Sequence, residues 1–191
     1  FGADVLRLWV SSCDYSQDVS ISDGILKQVS DAYRRFRNTF RFLLGNLDDF
    51  GPADFVAWDE LEPIDQWQMV RTLQLLSEVE AAYEALKFNA VYRALYEYVN
   101  DLSAVYMDVT KDRLYAEAPA SARRRALQTV LMNILEVLVR VMAPIISFTA
   151  DEVWDHYPPA LRAQDDRPES VQLAGWPTPS DFCPELPADA G

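Results

Sequence analysis

Side chains able to do chemistry are few in this chain, and their types and spacing narrow the function at once. His156 is the only histidine, so a catalytic triad built on a histidine base could use no other residue. Glu152, four residues earlier, shares its helix face and makes the nearest approach to a metal-ligand pair. A carboxylate-bridged di-iron bundle takes a Glu-x-x-His pair from each of two helices, which one histidine cannot supply. The plainer reading is a surface histidine near a helix C-terminus. The two cysteines, Cys13 and Cys183, are far apart and lack paired spacing. They read as unlinked cytosolic thiols, since a disulfide framework or a cysteine-based zinc site needs more sulfur. The six glycines never fall in the G-x-G-x-x-G or G-x-x-x-x-G-K order of a phosphate-cradling loop. No catalytic residue, metal ligand or resident cofactor is assigned, and an acyl-transferring or nucleotide-hydrolysing site is not expected.

What remains is electrostatic. The net charge of −13 opposes indiscriminate nucleic-acid binding, because an acidic field repels phosphate, and DNA is not an expected partner. The positive charge is nevertheless clustered. Residues 27–41 carry Lys27, Arg34, Arg35, Arg37 and Arg41 against Asp31 alone, and residues 111–125 carry Lys111, Arg113, Arg123, Arg124 and Arg125 against Asp112 and Glu117. Residues 48–65 hold seven acids and no base. Such a pattern suits one oriented polyanion. Arg34, Arg37, Asn38 and Arg41 fall at three- and four-residue steps and form one polar stripe, with Phe36, Phe40 and Leu44 on another face. Guanidinium groups so placed reach successive phosphates and stack on unpaired bases. The competing reading is a solvated face closed by intrahelical salt bridges, for which Asp31 is the one nearby acid. Arg123 to Arg125 spread around their helix and make a weaker footprint, part of it free to snorkel. Arg140, set among Leu138, Val139, Val141 and Met142, calls for a partly buried ion pair with an acid of another helix, such as Glu136 or Asp151 nearby. Phe55 and Trp58 in the acidic stretch are either base-stacking platforms or anchors, and anchoring is the commoner use of loop aromatics.

The elements that must position these groups are helices. Half of the 191 residues are apolar, long stretches lack glycine and proline, and the length fits one domain with a sizeable core. A short helix is predicted over Ala3–Ser12, followed by an extended segment to Ser22. Ser22 is then a plausible N-cap for a long helix from Asp23 to Leu47, roughly 37 Å in length at about 1.5 Å per residue. Asp48 to Glu62 reads as an acidic loop. Further helices are expected over Ile64–Leu86, 89–115, Ala120–Met142 with Pro119 in its first turn, and from Pro144 to about Tyr157. Beyond Pro158 the chain is rich in proline and acid, with Ser170–Leu173 the one strand-like stretch. No apolar run is long enough to span a membrane, and no signal peptide is visible. The expected fold is an all-α bundle of about five helices. It divides into 1–22, 23–157 and a C-terminal extension over 158–191.

Several ordered blocks resemble a known family. The run from Gly2 to Val10, with Asp14-Tyr15 and Ile21-Ser22, resembles the segment after the catalytic domain of class I aminoacyl-tRNA synthetases. Arg37-Asn38-Thr39-Phe40-Arg41-Phe42-Leu43-Leu44-Gly45-Asn46-Leu47 looks like bacterial-type isoleucyl-tRNA synthetase. So do Tyr106-Met107-Asp108 through Tyr115, Ala143 through Trp154, and Ser170-Val171-Gln172-Leu173 before Trp176-Pro177. The resemblance implies a helical anticodon-binding domain, preceded over residues 1–22 by part of a stem-contact region, in a cytoplasmic, monomeric ligase. Its partner would be isoleucine-specific tRNA, contacted by Arg34, Arg37, Asn38 and Arg41 together with Lys111 and Arg113. In that family a separate domain with H-I-G-H and K-M-S-K-S signatures uses ATP and magnesium, an inserted domain edits, and a cysteine-rich zinc module often follows at the C-terminus. This chain contains none of those signatures and begins at Phe1 rather than methionine, which points to an excised piece. The alternative from another class is an acidic helical interaction or scaffold domain.

Overall fold

The computed structural model describes residues 1–163 and 167–182, which excludes Cys183. Among the described residues there is no strand. Helix α1 (Ala3–Ser12) is followed by α2 (Asp23–Gly45), and two short 3-10 turns occupy the acidic loop. Then come α3 (Pro63–Glu84), α4 (Phe88–Asp101), a π-helical turn (Leu102–Met107) and α5 (Asp108–Tyr115). After them α6 (Ala122–Met142), α7 (Ser147–Asp155) and two single turns, α8 (Pro159–Arg162) and α9 (Pro179–Phe182), complete the order.

The bundle is built around α6. From Ala126 to Met142 only Glu136 and Arg140 escape full burial, so this helix is apolar on nearly every side and needs neighbours all round. It receives α3, α5, α7 and α2, while α1 packs on α2 and α4. The N-terminal segment is thereby part of the same bundle. Asp4 of α1 reaches across to α7, whose first turn has no cap of its own. Its carboxylate accepts from Thr149 N at 2.7 Å and Thr149 Oγ1 at 2.6 Å.

The N-cap read at Ser22 is present, its hydroxyl accepting from Ile25 N at 3.3 Å. Helix α6 starts two residues later than expected. Ser121 supplies the cap, accepting from Arg124 N, and Pro119 falls in the preceding turn. The chain between α3 and α4 breaks at Leu86, which takes a left-handed conformation (φ 55), with Lys87 N bonding back to Ala82 O. The strand-like stretch at 170–173 is instead a 3-10 turn over Val171–Leu173. The Asp151 carboxylate takes Ser170 Oγ at 2.7 Å and Val171 N at 3.2 Å, which curls the backbone rather than extending it.

Candidate nucleic-acid interface

Helix α2 buries Val29, Ala32, Phe36, Thr39, Phe40 and Leu43 and turns its cations outward. Lys27, Arg34, Arg35, Arg37, Asn38 and Arg41 are all exposed. Lys27, Arg34 and Arg41 are spaced by seven residues, which is 20° short of two turns, so they stand nearly in line over about 21 Å. Arg37 flanks that line on one side and Arg35 on the other. Lys27 belongs to this ridge, although its three- and four-residue partners alone do not single it out; the seven-residue step does.

The cations differ in what compensates them. Arg34 pairs with Asp31 at 2.9 Å, both well exposed, so the closed salt-bridge reading holds at that position. Arg35 donates to Asn100 Oδ1 at 2.8 Å and lies 5.8 Å from the centre of the Tyr96 ring. Arg37, Arg41 and Lys27 have no carboxylate within ion-pairing distance among the described residues. Arg37 and Arg41 border a shallow groove against α7, where Glu152 and His156 form the opposite wall. The His156 ring lies against its own helix, Nδ1 2.7 Å from Glu152 O, and among the described residues no three potential ligands cluster around a metal position.

The second basic cluster has been consumed internally. Arg113, expected on the RNA-facing surface, is buried. Its guanidinium grips Asp65 of α3 with two bonds of 2.7 and 2.8 Å, and Tyr106 adds a third to the same carboxylate at 2.6 Å. A fully enclosed carboxylate captures the nearest guanidinium, because leaving either charge unpaired inside would be costly. Lys111 does remain on the surface, paired with Asp108 at 2.6 Å. Arg123 is shared between Glu62 and Glu117. Arg124 forks onto Asp49, and Arg125 spans Asp49 and Asp54. Hydrogen bonds from Arg124 hold the Asp49 carboxyl down to about 2, with Gln128 adding to the effect.

These contacts fasten the acidic loop onto α6, with Val56 N bonding Thr129 Oγ1 and Phe55 set edge-on against Phe50. Trp58 packs on the core and so anchors the loop, whereas Phe55 stays 46% exposed beside Phe50. Arg140 finds Glu136 on its own helix rather than on another, and Asp181 from the tail, each at 3.3 Å. It also donates to the carbonyls of Ala174, Gly175 and Trp176, so it ties the tail to the bundle.

A second, larger groove lies on the other side of the ridge, between α2 and the π-turn. Asn38 and Lys111 both line it. The structure therefore brings Asn38 and Lys111 to one groove, sets Arg37 and Arg41 beside another, and removes Arg113 altogether.

Residues 65–189 match the family described as "Anticodon-binding domain of tRNA ligase". Isoleucine–tRNA ligase of Moorella thermoacetica is 50% identical over 178 residues, covering 92% of this chain and 19% of the relative. The same-named proteins of Desulforudis audaxviator and Bacillus mycoides are 50% and 51% identical, over 94% and 92% of this chain. The chain thus spans 19% of the length of these curated relatives. A solved LeuRS of Agrobacterium radiobacter K84, described as a ternary complex with tRNA and LeuAMS, has the same fold with a TM-score of 0.66 at 23% identity, over 95% of this chain and 20% of its own. With a helical bundle among its described residues and a family match over residues 65–189, the chain belongs to the anticodon-binding domain family of tRNA ligases.

Proposed function

We propose that this chain is the RNA-docking segment of an isoleucine–tRNA ligase, seating the anticodon arm of isoleucine-specific tRNA along α2. The observation that carries the reading is the division of the cations. In a molecule of net charge −13, the arginines of the second cluster are neutralised by acids of the fold, while Lys27, Arg37 and Arg41 have no ion-pair partner among the described residues and share one helix. A surface that keeps bare guanidinium groups inside an acidic field is matched to one polyanion in one orientation. Identity near 50% to isoleucine–tRNA ligases supports the choice of RNA.

In the whole ligase, which joins isoleucine to its tRNA at the expense of ATP with magnesium, this segment supplies position rather than chemistry. Holding the far arm fixes the acceptor end, and a small misplacement there lowers the rate. A cytoplasmic, monomeric protein fits the same reading, and no helix among the described residues is long and apolar enough to cross a membrane. A zinc-bearing module would involve no residue assigned here.

Titration of isoleucine-specific and non-cognate tRNA onto the chain, followed by fluorescence anisotropy at low salt, tests the proposal. Binding that weakens as salt rises and favours the isoleucine tRNA is expected. No anisotropy change with either RNA at low salt would remove the docking role.

A further inference from the structure

Asn133, Glu136 and Arg140 step along α6 by three and four residues and border one cavity of about 330 Å³, a size that suits a small molecule. Phe55, Met132, Trp154 and Leu161 give it apolar walls. Tyr157 lines it too, with 3% of its surface exposed. Its hydroxyl faces the Glu136 carboxylate without closing a hydrogen bond to it. Burial, with Glu136 beside it, holds that phenol well above its ordinary range, so the hydroxyl stays protonated as an unused donor.

The charges around the cavity balance in number but not in place. Arg140 lies 3.3 Å from each of two acids, Glu136 and Asp181. Arg167 has no acid within ion-pairing distance among the described residues. Its guanidinium sits 3.9 Å from the centre of the Trp154 ring and 4.2 Å from that of Tyr157, and it donates to Trp154 O at 2.7 Å. Asp155, Arg162 and Glu169 border it on the other side, all three exposed. Burial lowers the Arg167 pKa, as it does for a cation short of a counter-ion. The cavity therefore has an acidic pole at Glu136 and Asp181 and a basic pole at Arg167.

We propose that this cavity binds a small zwitterion, its carboxylate held by Arg167 and the Tyr157 hydroxyl, its ammonium by Glu136 and the Asn133 carbonyl, with an apolar body between. A simple anion would meet two acids there and a simple cation two guanidinium groups. A dipolar molecule leaves the local charge balance at zero and satisfies the buried hydroxyl. The site lies away from the α2 ridge and does not depend on the RNA reading.

Calorimetric titration of 6-aminohexanoate onto the full chain tests the site, with hexanoate and hexylamine as probes that each carry one of its two charges. Saturable heat is expected from 6-aminohexanoate, with affinity on the order of tenfold weaker for either single-charge probe. Arg167→Gln and Glu136→Gln should each weaken the zwitterion on the order of tenfold, and thermal melting followed by circular dichroism checks that both variants fold. Should a variant fail to fold, the three probes on the unaltered chain still decide. No saturable heat from 6-aminohexanoate, or equal affinity for all three probes, would overturn the site, as would parental affinity in a folded Arg167→Gln chain.

Discussion

Arg113 and Arg41 are chemically the same side chain, and their surroundings give them opposite roles. Asp65 has no exposed surface, so its charge is stable only with the two Arg113 bonds and the Tyr106 hydroxyl around it. Burial and the adjacent Asp65 carboxylate hold the Tyr106 phenol well above its ordinary range, which keeps it protonated as a donor. Arg113→Met therefore leaves a buried carboxylate unpaired and is expected to cost about 3–5 kcal/mol in urea denaturation. The double change Arg113→Met with Asp65→Leu should recover most of that loss; a single variant as stable as the parent would contradict the clamp. At this scale the stripe on α2 was legible, since Arg34, Arg37, Asn38 and Arg41 lie on one helix whose pattern fixes its faces. Arg113 was not. Its partner lies 48 residues away on another helix, and spacing along one helix says nothing of what faces it.

The acidic loop depends on α6 through Asp49, where Arg124, Arg125 and Gln128 converge. Because the folded carboxyl sits at about 2 against an ordinary value of 3.8, the anchor contributes its full stability above about pH 4. That contribution is lost progressively as the pH falls toward 2, when the folded carboxylate itself takes up a proton. Asp49→Asn is expected to flatten the fall of the urea midpoint between pH 4 and 2; an identical acid profile would argue against the anchor. Helix positions were readable from periodicity, as the boundaries of α1 and the capped start of α2 attest. Three features escaped it for local reasons. The π-turn at Leu102–Met107 leaves the three- and four-residue pattern nearly intact, so 89–115 reads as one helix. Ser121 outcompetes Pro119 as the start signal because its hydroxyl satisfies an amide that proline only avoids having. The turn at Val171–Leu173 is set by Asp151, a partner from α7 that a strand-like composition cannot reveal.

For the molecule as a whole, the balance of charge is settled by where each sign is spent. Thirty acids against seventeen Lys and Arg give a chain that repels phosphate on average. The fold then uses acids of the 48–65 segment to neutralise Arg113, Arg123, Arg124 and Arg125, and among the described residues it leaves Lys27, Arg37 and Arg41 of α2 without an ion-pair partner. Composition alone showed two clusters of five cations each, the second a weaker footprint; only the tertiary arrangement shows that its arginines are structural. The most direct measurement of this account is the salt dependence of tRNA affinity for the unaltered chain, Arg41→Ala and Arg123→Ala. The uncompensated Arg41 is predicted to lower the log–log slope by about 0.7–0.9 when removed, as one lost phosphate contact, whereas Arg123, already held by Glu62 and Glu117, leaves it unchanged. Equal slopes for all three proteins, or a loss at Arg123 and none at Arg41, would contradict it.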